Sequence, residues 1–165
     1  MRRMAMVTAA VLGLSLSPAL AAMDAQEFVD KAYIGGMFET QTSRMALHLS
    51  ADSEVRDFAH RMIAEHGKAN AELKTLAEGA GLNLPTTLDP QHQEDLEALK
   101  SAGDTFPGRY VALQQHDHGA MVQLFQHYAA EGDNPQLKGF ARQLLPTLKQ
   151  HQSDIDAIAD KKPTN

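Results

Sequence analysis

Four side chains that can bind a metal ion stand where the apolar pattern of four predicted helices calls for core residues. They are Glu39, His66, His118 and His151. A carboxylate or imidazole in a core is unfavourable unless it is hydrogen-bonded, paired or bound to a metal ion. Three neutral imidazoles and one carboxylate suit zinc in tetrahedral geometry, and imidazole ligands also suit copper or iron. The residue types therefore favour one site for a single transition metal ion.

The stretch around His66 shows the pattern most clearly. Its apolar residues recur at steps of three and four, which makes one buried stripe on a helix: Val55, Phe58, Met62, Ala69, Leu73 and Leu76. His66 takes a place in this stripe where another aliphatic side chain is expected. By the same test Glu39, His118 and His151 occupy the stripes of the other three helices. Each lies near the middle of its helix, so all four are expected at a similar height in a bundle.

Two acidic residues extend the metal-site hypothesis. Glu65 and Asp117, each next to a candidate ligand, are predicted acceptors that would orient an imidazole ring, unless they face solvent.

In the alternative hypothesis no metal binds, and the buried cluster is a hydrogen-bond network that sets helix register in a structural or interaction protein. The remaining histidines fall off the stripes and are expected on the surface: His48, His60, His92, His116 and His127.

Other chemistries have little support in the sequence. Met37 and Met45 are soft donors that copper accepts, whereas Met62 and Met121 lie on stripes and are better explained as core residues. No nucleophile elbow, phosphate loop or dinucleotide fingerprint is present. Because no set of acid, base and nucleophile can be identified, an enzyme is the least favoured of the three hypotheses, and the question of enzymatic activity stays open.

The helices that must position these residues can be predicted from caps and breakers. The first runs from about Asp24 to Leu49, and the second begins after an N-cap at Asp52 or Ser53 and ends near Gly79. Pro107 to Ala130 forms the third, and Pro135 opens the fourth behind an Asn134 cap. The long connection between the second and third contains a short helix from Pro90 to about Lys100. The predicted fold is an all-α four-helix bundle with a long crossover between helices 2 and 3.

The N-terminal segment predicts export. Arg2 and Arg3 precede an apolar run too short to span a bilayer, and a small-residue cleavage pattern follows. We interpret residues 1–22 as a cleavable secretory signal and residues 23–162 as the bundle domain, located in the periplasm with no stable membrane span after cleavage. The chain has no cysteine, so packing alone must hold the domain.

Charge limits the choice of partner. The full chain carries 15 basic and 21 acidic residues, for a net charge of −6 with histidines neutral, and loss of the signal makes the net charge more negative. An acidic domain is a poor match for nucleic acid. The charge is compatible both with self-association and with binding to another protein of the cell envelope.

A further set of residues forms a family-like pattern over nearly all of the mature chain: Phe28-Val29, Gly35-Gly36, Glu39, Val55, Phe58-Ala59, Arg61-Met62, Glu65-His66, Asn70, Leu73, Leu84-Pro85, Phe106, Tyr110, His118, Phe125, Leu145-Pro146-Thr147-Leu148 and His151. In these residues the chain resembles the domain-of-unknown-function 4142 family of exported bacterial proteins. The resemblance implies a ferritin-like four-helix fold and an envelope location. Ferritin-like enzymes hold two metals with Glu-x-x-His motifs, and this chain has no such motif. We therefore expect a single-metal site and a role in metal handling or stress protection.

Overall fold

The computed structural model describes residues 23–161, and every regular element in that range is helical. A single 3₁₀ turn at Gly103–Thr105 precedes α4. The five helices are α1 (Ala25–Leu49), α2 (Ser53–Gly79), α3 (Pro90–Lys100), α4 (Phe106–Glu131) and α5 (Pro135–Asp160). The predicted all-α class is confirmed, with α3 in the connection between α2 and α4. The predicted signal at residues 1–22, and residue 162 at the end of the predicted domain, lie outside the described residues.

Side-chain caps explain where the helices begin. The carboxylate of Asp24 accepts from the first free backbone N–H groups of α1, and Asp52 does the same for α2. Asn134 caps α5 in the same way, with Pro135 at the first helical position, where its missing N–H is not needed. Because α4 follows directly on the 3₁₀ turn, it begins at Phe106, one residue before the predicted start.

Contacts between named pairs give the helix directions. Glu39 of α1 meets His66 of α2, and Arg56 near the start of α2 donates to the carbonyl of Leu47 near the end of α1. These two helices therefore run antiparallel. Tyr110 at the start of α4 shares a hydrogen bond with Ser43 late in α1, so α4 also runs antiparallel to α1. Helix α5 packs against α2 and α4, which closes the four long helices into a bundle.

Two apolar clusters fill the bundle, one towards each end. The first is built around Phe28 of α1 and Tyr128 of α4, whose rings stack with centroids 4.0 Å apart. The second is built around Phe58 and Met62 of α2 at the other end. Each of the four long helices contributes residues to both clusters. On each helix, one of the four predicted site residues lies between those two groups of residues. The core therefore has a polar layer at mid-height.

The glycine pair of α1 lets side chains from two neighbouring helices come close. A Cβ on Gly35 would stand 2.2 Å from the methyl carbon of Met121 on α4, and a Cβ on Gly36 would stand 2.3 Å from the amide oxygen of Asn70 on α2. Any larger residue would force these neighbours to move. Close packing thus accounts for two glycines inside a helix, where glycine is otherwise unfavourable.

None of the helices in residues 23–161 combines the length and the apolar character that a bilayer crossing requires.

Candidate metal centre

Three imidazoles from three helices meet in the polar layer. The ring centroids of His66 and His118 lie 5.4 Å apart, those of His66 and His151 also 5.4 Å, and those of His118 and His151 5.5 Å. All three side chains are buried. One ring nitrogen from each lies within 4.8 Å of the others. The structure thus brings together three residues that are distant in sequence.

Each ring has an acceptor against one of its nitrogens. Nδ1 of His66 lies 2.9 Å from Oε2 of Glu39, and Nδ1 of His118 lies 3.0 Å from the carbonyl oxygen of Gln114. Nε2 of His151 lies 2.8 Å from Oε2 of Glu65. Because a carbonyl or carboxylate can only accept, the proton of a neutral ring is held at that nitrogen in His118 and His151, and the charge of Glu39 favours a proton on Nδ1 of His66. The second nitrogen of a neutral ring then carries a lone pair.

Those second nitrogens are buried without partners. Within residues 23–161, no hydrogen-bond partner is found for Nε2 of His66, Nε2 of His118 or Nδ1 of His151. A ligating histidine commonly holds its proton against a carboxylate or carbonyl and turns its other nitrogen to the metal. The three clustered rings show this division, because each has one nitrogen against an acceptor and one nitrogen without a partner. The donor set therefore fits a transition metal ion.

Glu39 stands against two of the rings. Besides its contact with His66, its Oε1 lies 3.1 Å from Nδ1 of His118, and the carboxylate is fully buried. Both distances are short, but neither contact has hydrogen-bond alignment, so both oxygens lack an aligned donor among the described residues. The sequence placed Glu39 in the ligand set. In the structure it faces the Nδ1 side of two rings, opposite their free nitrogens.

The carboxylate and the rings shift one another's pKa values. Burial alone would raise the pKa of Glu39, but His118 and His66 outweigh it and lower the pKa to about 2. Burial would lower the pKa of His66, yet Glu39 raises it above the ordinary value. Burial lowers the pKa of His118, and burial together with His66 lowers that of His151 to about 4. His118 and His151 are therefore neutral near pH 7, the form that binds metal.

The two predicted ring-orienting acceptors have different surroundings. Glu65, 44% exposed, reaches across from α2 to His151 of α5 and contacts that ring rather than its sequence neighbour His66. Asp117 points away from the imidazoles, and its Oδ1 lies 4.0 Å from Nε2 of His92. Burial and the charge of Glu39 raise the pKa of Asp117 to about 7. Adjacency in sequence therefore did not identify which ring an acidic residue serves.

Two further features were not predicted from the sequence. The Gln114 carbonyl lies one helical turn before His118, a spacing that could have identified it as an acceptor. His92, expected on the surface, is only 23% exposed, and its ring packs against that of Phe38 with centroids 4.8 Å apart. The other four histidines that were expected on the surface are exposed: His48, His60, His116 and His127.

Comparison with known proteins supports the fold and the family. The chain matches the family described as "Domain of unknown function (DUF4142)" over residues 13–158, and it therefore belongs to that family, as the resemblance indicated. It is similar to a crystal structure of a DUF305 fragment from Deinococcus radiodurans, with a TM-score of 0.73 and 14% sequence identity. The similarity covers 86% of this chain and 99% of that chain, and at this identity it shows the fold alone. No curated protein matches the chain.

Proposed function

We propose that this member of the DUF4142 family binds one transition metal ion through Nε2 of His66, Nε2 of His118 and Nδ1 of His151, and that it handles metal in the cell envelope after export. Zinc and copper suit three imidazoles best, and iron is a further candidate. The role in the envelope rests on the export pattern of residues 1–22.

One observation carries this proposal: three buried imidazoles lie in one cluster, and each has a ring nitrogen that lacks a partner among the described residues. Each buried polar atom left without a partner costs about 1–3 kcal/mol. A metal-free core would accumulate this penalty at three neighbouring positions. A single ion that coordinates all three nitrogens removes the penalty at once.

The fit requires a small adjustment of the rings. Around a tetrahedral zinc ion with bonds of about 2.0–2.1 Å, two ligand nitrogens lie about 3.3 Å apart. The nitrogens of His66, His118 and His151 lie within 4.8 Å of one another. Ring rotations and shifts of the order of 1 Å bring them round one ion, while each ring keeps its acceptor.

The two glutamates have a supporting role in this proposal. Glu39 holds the His66 ring and lies against that of His118, and Glu65 holds the His151 ring. Because the pKa of His66 is raised, metal binding near neutral pH releases a proton from this ring. Glu39 then remains as a buried negative charge beside the cationic centre and offsets part of the ion's charge.

Elemental analysis of protein purified without chelator, followed by titration of the metal-free form with Zn²⁺ and Cu²⁺, tests the proposal. We expect tight binding of one equivalent at the buried centre and a rise in Tm, because a ligand of the folded state alone adds about 2.7 kcal/mol at 100 times its Kd. His66→Gln and His118→Gln should abolish this tight binding. His60→Gln and His116→Gln change exposed histidines on the same two helices and serve as matched controls.

Two results would overturn the proposal. One is a metal-free protein that melts cooperatively and shows no rise in Tm at micromolar Zn²⁺ or Cu²⁺. The other is tight binding that survives in both His66→Gln and His118→Gln. Either result would favour the alternative in which the buried cluster is a structural hydrogen-bond network. The contact between His118 and the Gln114 carbonyl is the interaction that such a network would use.

A further inference from the structure

A second group of metal-binding side chains lies outside the bundle core, in a cleft of about 420 Å³ between α1, the start of α3 and α4. Asp89 and His92 line it from the start of α3, and Asp117 lines it from α4. Unlike the buried centre, this cleft opens to solvent, since Lys31 and His127 on its wall are exposed.

Two independent contacts fix the His92 ring. Asp89 caps α3 by accepting from the backbone N–H of His92 at 2.9 Å, and its other oxygen lies 2.8 Å from Nδ1 of the same ring. The ring also packs edge-on against buried Phe38. Because the carboxylate of Asp89 accepts, Nδ1 carries the proton and Nε2 keeps its lone pair. A carboxylate behind a histidine is the arrangement that orients and strengthens a metal ligand.

The free nitrogen of His92 faces a second donor. Oδ1 of Asp117 lies 4.0 Å from Nε2 of His92, which is too long for a hydrogen bond. The Asp117 side chain is only 12% exposed, and its Oδ2 is buried with no hydrogen-bond partner in the described part of the chain. Because two ligands of a tetrahedral ion with bonds of about 2.0–2.2 Å lie about 3.4 Å apart, a shift of the order of 0.5–1 Å brings these two atoms to bridging distance.

Among residues 23–161, the basic side chains on the cleft wall other than His92 each lie beside a glutamate. Lys31, which lines the cleft, is bound 2.6 Å from Glu27 on its own helix. His127, the other basic group on the wall, lies 3.7 Å from Glu131 one turn further along α4. The cleft therefore holds two acidic side chains, Asp89 and Asp117, and its two other basic side chains each have an acidic neighbour.

We propose that His92 and Asp117 form a second, solvent-accessible site for a divalent transition metal ion, with Asp89 orienting the His92 ring and water completing the coordination. The site is separate from the buried centre. Within the described part of the chain, Met121 alone lines both the cleft and the small internal cavity beside His66, so the core lies on its far side. With two protein ligands, the site binds more weakly than the buried one.

Titration of the full chain with Zn²⁺, followed by calorimetry and by NMR of the histidine ring nitrogens, tests this site. We expect a second, weaker equivalent of Zn²⁺ that shifts the Nε2 resonance of His92 while Nδ1 stays protonated. His92→Gln should remove this equivalent and leave the tight one in place. Asp89→Asn should weaken it about 10–100-fold yet keep the cap of α3, since asparagine caps as well as aspartate.

The controls separate this site from the buried one and from unspecific binding. His127→Gln removes a histidine from the same cleft and should leave the weaker equivalent unchanged. The His92 response should also persist in His66→Gln, so the two sites can fail independently. If Zn²⁺ leaves the His92 ring resonances unmoved in the wild-type protein, or if His92→Gln binds as many equivalents as the parent, the proposal is wrong.

Discussion

Oε2 of Glu39 lies 2.9 Å from Nδ1 of His66, and both side chains are buried in the middle of the bundle. The pair joins α1 to α2 across the polar layer. Glu39 raises the pKa of the His66 imidazole, and His66 contributes to the low pKa of the Glu39 carboxylate. Together with Glu65 and the Gln114 carbonyl, Glu39 determines which ring nitrogens stay free.

The first prediction concerns this pair. In Glu39→Gln the side chain keeps its shape but loses its charge, so burial acts on His66 against Glu65 only, and the pKa of His66 should fall. Metal affinity should fall about 10–100-fold, because the group that orients the rings is weakened. NMR titration of the His66 ring and competition with a chelator measure the two effects. Glu65→Gln, which acts mainly on His151, is the control, and an unchanged His66 pKa in Glu39→Gln contradicts the assignment.

The second prediction concerns the pH dependence of the metal-free protein. Folding holds His151 neutral down to about pH 4, whereas the unfolded chain protonates it near pH 6.5. The unfolded state therefore binds more protons between these values, and the stability due to His151 is lost as the pH falls through that window. The slope for one proton is at most about 1.4 kcal/mol per pH unit.

Comparison with His151→Gln isolates this effect from that of His66, whose raised pKa acts with the opposite sign. The difference in free energy of unfolding between the parent and His151→Gln should shrink as the pH falls from 6.5 to 4. Urea unfolding at several pH values in the presence of chelator measures it. A difference that stays constant over this range would show that His151 is not held neutral.

The third prediction compares two glycines in helix interiors. Gly67 on α2 has no atom within 4 Å of an added Cβ, so Gly67→Ala should stabilise the protein by about 0.5–1 kcal/mol. Gly36→Ala would drive a methyl into the amide of Asn70 and should be less stable than Gly67→Ala by about 1–3 kcal/mol. Denaturant unfolding of both variants measures the difference. Adding Asn70→Ala to Gly36→Ala should recover part of the loss, and equal stabilities would contradict the close contact.

The fourth prediction concerns the hydrogen bond that ties α1 to α4. Tyr110 and Ser43 share a buried bond of 2.8 Å between their hydroxyl groups. Tyr110→Phe should destabilise the protein by about 1–2 kcal/mol, because Ser43 loses its partner in the core. Ser43→Ala in the same background should add little, since the interaction is already gone. A double-mutant cycle measured by thermal melting gives the coupling energy, and strict additivity would count against the bond.

Local chemistry in the sequence was enough to predict the elements. Asp24, Asp52 and Asn134 are short polar side chains that cap helices, and the steps of three and four between apolar residues mark the buried faces. These signals act within one or two helical turns. They predicted four long helices to within a residue or two at most ends, and they identified Glu39, His66, His118 and His151 as buried polar residues.

The relations between helices appeared only in the tertiary structure. A stripe tells which side of a helix is buried, but it leaves open the rotation of a ring about its own bonds. For that reason the sequence could not assign Glu65 to His151, or place Glu39 against the Nδ1 atoms of two rings. His92 escaped notice because its partners, Phe38 and Asp117, come from other helices. Capping and periodicity are local and are read along the chain, whereas the free nitrogens of a site depend on which helices pack together and at what height.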